Sequence, residues 1–151
     1  MGAPACDLHR YTPHLASLQR CPLIYYQSSA GKGRGVFAGR QFEAEELIER
    51  VPVIVFPAAE CAVLEKTLVD AYDFTWETEE TQTALALGYG SLYNHSFEPN
   101  ARYVRLFESE EIEFTALRRI EKDEEILINY NGGDLRSRLV FEESRWHRED
   151  C

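Results

Sequence analysis

A chain of 151 residues, 44% of them apolar, is long enough to bury one core and too short for two ordinary domains. Its formal charge of −10 speaks against a nucleic-acid binder, which presents basic side chains to phosphates; it suits a cationic partner, unless it serves solubility alone. No apolar run approaches the roughly 18–20 residues that cross a bilayer, and residues 1–20 lack the basic start and apolar stretch of a signal peptide.

Residues 1–20, with Pro4 and Pro13, read as a loosely packed lead-in; 21–134 read as the folded domain and 135–151 as a short C-terminal segment. The apolar run 23–26 predicts a strand. It is followed by Gly31-Lys32-Gly33-Arg34-Gly35 and then Val36-Phe37-Ala38. Glycines at alternating positions call for a backbone that bends freely or lies close to something else. The stretch is not a dinucleotide-binding loop, because strand-like residues rather than a helix follow it. Residues 47–56 are rich in β-branched side chains, with Val51, Val53 and Val55 on one face, and Pro52 predicts an edge strand or a bulge. Pro57 opens a helical pattern that puts Cys61, Leu64, Leu68 and Tyr72 on one face.

Residues 72–76 are unusually aromatic, and a polar link, 77–83, leads into Ala84-Leu85-Ala86-Leu87. The stretch 93–100 is too polar and turn-rich for a regular element. Two strands are predicted at 103–107 and 112–116, joined by an acidic turn at 108–111. A last apolar run, 126–130, ends at Asn131-Gly132-Gly133. Many short strands, one helix and several long loops describe a mainly β, β-rich α+β domain, without the strand–helix alternation of a parallel sheet. Cys6, Cys21, Cys61 and Cys151 are scattered, with no C-x-x-C pair or neighbouring histidine pair, so no metal is expected and a reduced, intracellular protein is the simpler reading.

Singly, the polar residues are ambiguous. The glycine loop is a cofactor cradle or a flexible turn. Asn94, His95 and Asn100 contact a ligand or pin a buried loop. Tyr130 is a buried phenol with a satisfied hydroxyl or a catalytic one. In combination they say more. Gly33-Arg34-Gly35-Val36-Phe37-Ala38, then Tyr93-Asn94-His95-Ser96 with Pro99-Asn100-Ala101, then Asp123-Glu124-Glu125-Ile126-Leu127-Ile128-Asn129-Tyr130 follow one another in this order. They resemble the three signature segments of SET-domain protein-lysine methyltransferases, and the resemblance runs from about residue 23 to 131.

The resemblance implies small curled sheets with a C-terminal segment threaded under a loop, the SET pseudoknot. It implies S-adenosyl-L-methionine as methyl donor, held around Lys32, Gly33, Arg34 and Gly35 and by Tyr93, Asn94 and His95, with Phe141 or Trp146 covering the adenine. It makes Tyr130 the catalytic tyrosine, and Tyr72, Phe74, Trp76, Tyr89 and Ile128 candidates for the lysine channel, the aromatic ones reading more readily as core. The chemistry is coherent with this. Free lysine has a pKa of about 10.4, and an apolar channel beside a sulfonium favours the neutral amine. Alignment is then the main task.

Two departures stand out. No cysteine-rich zinc segment follows the tyrosine, which is similar to minimal stand-alone members of bacterial and viral type. Ile128 stands where many members have Phe or Tyr, which predicts that di- and trimethylation are open to the enzyme. The expected partner is a lysine-bearing, basic protein or peptide such as a histone-like tail, with no direct binding of nucleic acid or membrane. A homodimer that completes the lid is one arrangement such a chain allows. The rival reading is a SET-like peptide-binding or scaffold module that has lost catalysis.

Overall fold

The computed structural model describes residues 22–76 and 82–131; the segments expected at 1–20 and 135–151, with Phe141 and Trp146, lie outside them. The glycine loop is a hairpin turn. Gly31 and Gly33 take φ of +73° and +75°, a region that costs other residues strain, and the Lys32 N–H donates to Ser29 O (3.1 Å). The chain therefore folds back, pairing β1 (Ile24–Ser29) with β2 (Gly33–Ala38) from Ile24–Ala38 to Ser29–Gly33.

A second, five-stranded sheet is centred on β3 (Leu47–Phe56). Beside β3 lie β5 (Gln82–Ala86) and β8 (Glu111–Ala116), and outside those lie β4 (Asp73–Trp76) and β7 (Ala101–Leu106). All of these pairs are antiparallel. Ile112, Phe114 and Ala116 alternate into the core from β8, as do Val51 and Val53 from β3, so the period of two is a burial pattern here.

Of the edge strand or bulge expected from Pro52, the edge position is corrected: β3 is central, and its register shift falls between Leu47 and Glu49 rather than at Pro52. Pro52 is tolerated because the partners change over around it. The strand pairs with β8 up to Pro52 and with β5 only from Val53 onwards.

The helical expectation through Tyr72 is also corrected. The helix α1 (Ala58–Leu64) is short, and none of its residues is buried. Thr67 interrupts the pattern: its hydroxyl donates to Leu64 O (2.8 Å) and accepts from the Val69 N–H (3.2 Å), capping a separate 3-10 turn, Leu68–Ala71. Leu68 is consequently 77% exposed rather than part of a core face.

The stretch 93–100, expected to be irregular, contains the two-residue strand β6 (Asn94–His95). Its partner supplies the regularity. β6 pairs in parallel with β9 (Glu125–Ile128), through Asn94–Leu127 and His95–Ile128, while β2 pairs antiparallel with the other edge of β9. Asn100 closes the loop over β9. Its side chain accepts from the Leu127 N–H (2.8 Å) and donates to Glu125 O (2.8 Å), and its own N–H donates to Leu127 O (3.2 Å). The last strand thus runs between β2 and a loop that wraps it, the threaded arrangement expected of the curled, mainly β fold.

Candidate active site

Threading brings the three sequence segments to one place. Glu125 in β9 is the tie between them: its Oε1 accepts from Asn94 Nδ2 (2.7 Å) and its Oε2 from Ser29 Oγ (2.9 Å). Asn94 Nδ2 also donates to Arg34 O (3.2 Å), which fastens β2 to β6. This close approach requires glycine at position 35, where a Cβ would stand 2.3 Å from Glu125 Oε1 and 2.7 Å from Asn94 Nδ2. At Gly33 a Cβ would meet nothing within 4 Å, so the turn itself faces open space. Lys32 reaches across it, its ammonium donating to His95 O (3.1 Å).

Tyr130 follows β9 directly. Its hydroxyl donates to Tyr93 O (2.7 Å), its N–H donates to His95 Nδ1 (3.2 Å), and its carbonyl accepts from the Tyr103 hydroxyl (3.1 Å). Burial, with Tyr72 and Glu125 adding to it, raises its pKa well above the ordinary phenol value, so the hydroxyl keeps its proton across the neutral range. His95 Nδ1 acts as an acceptor, which puts the proton of the neutral ring on Nε2. Burial first and the Lys32 charge second lower the His95 pKa, and both favour that neutral ring. Phe97 and Tyr130 flank it, with ring centroids at 4.5 Å and 5.2 Å.

These groups border one shallow, open recess, lined by Lys32, Arg34, Asn94 and Tyr130 together with Ala71, Tyr72, Ser91 and Leu92. Of the sequence candidates, Lys32, Arg34, Asn94, Tyr72 and Tyr130 meet there, with Gly33, Gly35 and His95 next to them. Others lie elsewhere. Phe74 packs edge-on against Tyr103 (5.2 Å), and Trp76, 3% exposed, packs against Phe107 (5.1 Å). Tyr89 leans on Tyr26, and Ile128 is wholly buried in the core. The Tyr93 ring is buried too, stacked on Phe114 at 4.3 Å, and only its carbonyl faces Tyr130.

Sequence reasoning missed Ala71, Ser91 and Leu92. The available signal was Gly88-Tyr89-Gly90 just ahead of the Asn94-His95 pair, where glycine lets a turn lie flat against its neighbours. Among the described residues no cluster of histidine, cysteine or acidic side chains suits a metal ion.

Comparison with known proteins agrees with this fold. The SET domain family matches residues 33–131. A histone-lysine N-methyltransferase of Schizosaccharomyces pombe, specific for H3 lysine-37, is 36% identical over 100 residues, which are 66% of this chain and 67% of the yeast protein. A Plasmodium falciparum protein described as a candidate histone methyltransferase superimposes with a TM-score of 0.54 at 31% identity, over 71% of this chain and 91% of that one. A humanized mutant of the Chaetomium thermophilum Polycomb Repressive Complex 2 shares the fold, with a TM-score of 0.60 at 21% identity over 74% of this chain and 15% of that one. Nothing in these relationships supports a module that has lost catalysis. The chain belongs to the SET-domain family and is a protein-lysine methyltransferase, an enzyme of a class whose methyl donor is S-adenosyl-L-methionine.

Proposed function

We propose that the recess between the glycine turn and Tyr130 binds S-adenosyl-L-methionine and that the target is a lysine in a basic, histone-like segment. The observation that carries this reading is the convergence of Lys32, Arg34, Asn94 and Tyr130, drawn from all three sequence segments, on one opening.

The residues present fit the donor. Its carboxylate suits the two cationic side chains, Lys32 and Arg34. Open space above Gly33 lets a ligand come close to the backbone. The Asn94 side-chain amide already donates twice within the protein, so contact with the donor falls to its backbone and Oδ1. Bound there, the donor supplies an electrophilic methyl group on a positive sulfur.

The chain's own residues do the aligning. Because the Tyr130 hydrogen is directed to Tyr93 O, the phenol oxygen keeps its lone pairs as acceptors, the polarity that suits a methyl group carrying positive charge. A phenol whose pKa is raised by burial is no general base, so the lysine must arrive or become neutral by other means. Tyr72 and Leu92, which line the recess, are the residues available to pack against its alkyl stem. A chain of net charge −10 attracts a lysine-rich segment, and such tails lie inside the cell. No helix among the described residues is long and apolar enough to cross a membrane.

The test is transfer of labelled methyl from S-adenosyl-L-methionine to a panel of basic proteins, histones included, with the modified residue mapped. Label on lysines of a basic tail is the expected result. Transfer confined to acidic or lysine-poor proteins would overturn the substrate reading.

A further inference from the structure

The recess has a back wall, and one carboxylate holds it. Residues 89–93 run from Tyr89 through a 3-10 turn, Gly90–Leu92, to Tyr93, and Ser91 and Leu92 of that turn line the opening. Glu49 of β3 lies behind the turn and grips both ends. One carboxylate oxygen accepts from the Tyr89 N–H (3.3 Å), and the other accepts from the Tyr93 hydroxyl (3.0 Å).

The turn is pressed onto β3 by two glycines. A Cβ at Gly88 would stand 2.9 Å from Glu49 Oε1, and one at Gly90 would stand 2.8 Å from Val51 Cγ2. Tyr93 is pinned further by stacking on Phe114, and its carbonyl is the acceptor for the Tyr130 hydroxyl. An unbroken path therefore runs from the Glu49 carboxylate through the Tyr93 side chain and backbone to the phenol of Tyr130, one of the residues that line the recess. Glu49 itself does not line the opening.

We propose that Glu49 is a positioning residue for methyl transfer, fixing the 89–93 wall and, through Tyr93, the orientation of the Tyr130 hydroxyl. This rests on the reading of Tyr130 as the aligning phenol. A charged acceptor suits the task because its two oxygens accept from two donors at once, and a hydrogen bond to a charged group is stiffer than one between neutral partners. An apolar residue at position 49 would leave the buried Tyr93 hydroxyl without its acceptor. A glutamine would offer one acceptor where two are used.

The experiment compares Glu49→Gln, Tyr93→Phe, the double variant and Tyr130→Phe with the wild type. Methyl transfer to a histone-tail peptide is measured per donor-binding site counted by calorimetry. In each of Glu49→Gln and Tyr93→Phe, kcat falls about tenfold, the scale set by a small misalignment, while KM for the peptide and Kd for the donor stay within about twofold. The double variant is no slower than the slower single one, because both changes cut the same path. A merely structural role would reduce the number of binding sites and leave kcat per site unchanged. Unchanged kcat in both single variants, with Tyr130→Phe inactive, overturns the role of Glu49 and leaves the enzyme reading standing. Tyr130→Phe as active as wild type overturns the reading of Tyr130, and the proposal falls with it.

Discussion

The hydroxyl of Tyr130 donates to the main-chain carbonyl of Tyr93 across 2.7 Å, joining the residue after the last strand to the residue before the Asn94-His95 pair. A tyrosine with a satisfied hydroxyl and a tyrosine with a catalytic one are usually opposed readings. Here they are compatible, because the donor hydrogen is used inside the protein while Tyr130 is one of the residues that line the recess.

Tyr130→Phe tests this separation. It removes one net hydrogen bond, a stability loss on the order of 1 kcal/mol, and leaves the ring in place. Methyl transfer should fall by roughly 10²–10³, the scale seen when one preorganised polar contact to a reacting centre is deleted. Thermal unfolding and a single-turnover assay on the same preparation check both halves. A variant that melts with the wild type and transfers methyl at the wild-type rate would remove Tyr130 from the chemistry.

The two glycines of the turn should behave differently. Gly33 has φ of +75° and open space above it, and asparagine tolerates that conformation better than most residues. Gly33→Asn should therefore fold with a stability cost of about 1 kcal/mol or less and weaken donor binding by filling the space. At Gly35 even a methyl group would collide with Glu125 Oε1 and Asn94 Nδ2, parting the contact that joins β2, β6 and β9. Gly35→Ala should cost about 1–3 kcal/mol, as overpacking usually does. Denaturant titration and calorimetry with S-adenosyl-L-methionine separate the two effects. Equal stability of both variants would mean that the contact at Gly35 relaxes freely.

How much of this was legible in the sequence depended on where each residue's partner came from. The strand at 47–56 and the two strands around the acidic turn at 108–111 could be read because alternating burial is written in the side chains themselves. Pro52 misled because its tolerance depends on where β5, on one side of the strand, begins to pair with it, at Val53. The helix stopped short because the Thr67 hydroxyl bonds locally, an outcome that an apolar period does not record. Lys32, Arg34, Asn94 and Tyr130, which line the recess, stand in or beside the three motifs. Trp76 and Phe74 were candidates only as aromatic residues, and aromatic character alone does not distinguish a recess wall from the core. Glu49 was invisible for the opposite reason: 40 and 44 residues separate it from the two groups it holds.

His95 gives the site a pH dependence of definite sign. Its folded-state pKa is lowered by burial and by Lys32, so between about 6.5, the ordinary histidine value, and the lower folded value the unfolded chain binds more protons. Stability is complete above about pH 6.5 and declines as pH falls through that window. Protonation also places a hydrogen on Nδ1, which then cannot accept from the Tyr130 N–H. His95→Asn keeps an acceptor near that position without a titrating ring. Its unfolding free energy should vary less between about pH 7 and 5 than that of the wild type. Identical slopes would show that His95 does not titrate in this range.

On the resemblance to other SET enzymes, and not because it lines the recess, we propose that Ile128 bears on how many methyl groups the enzyme adds. It is wholly buried in β9, opposite His95 in the parallel pair, and contributes hydrocarbon where many SET enzymes have Phe or Tyr. A hydroxyl there would hold a water by hydrogen bonds, and a second or third methyl on the lysine nitrogen would have to displace it. Isoleucine anchors no such water, so successive methylations should meet no polar competitor, and exhaustive turnover should yield di- and trimethyl-lysine by mass spectrometry. Ile128→Tyr should shift the product towards monomethyl-lysine, at a stability cost of about 1–3 kcal/mol from overpacking. The two outcomes are linked through one atom, the added phenol oxygen, so Ile128→Phe controls for bulk. If phenylalanine restricts the product as far as tyrosine does, side-chain volume rather than an ordered water sets the limit, and a wild-type enzyme that stops at monomethyl-lysine refutes the expectation outright.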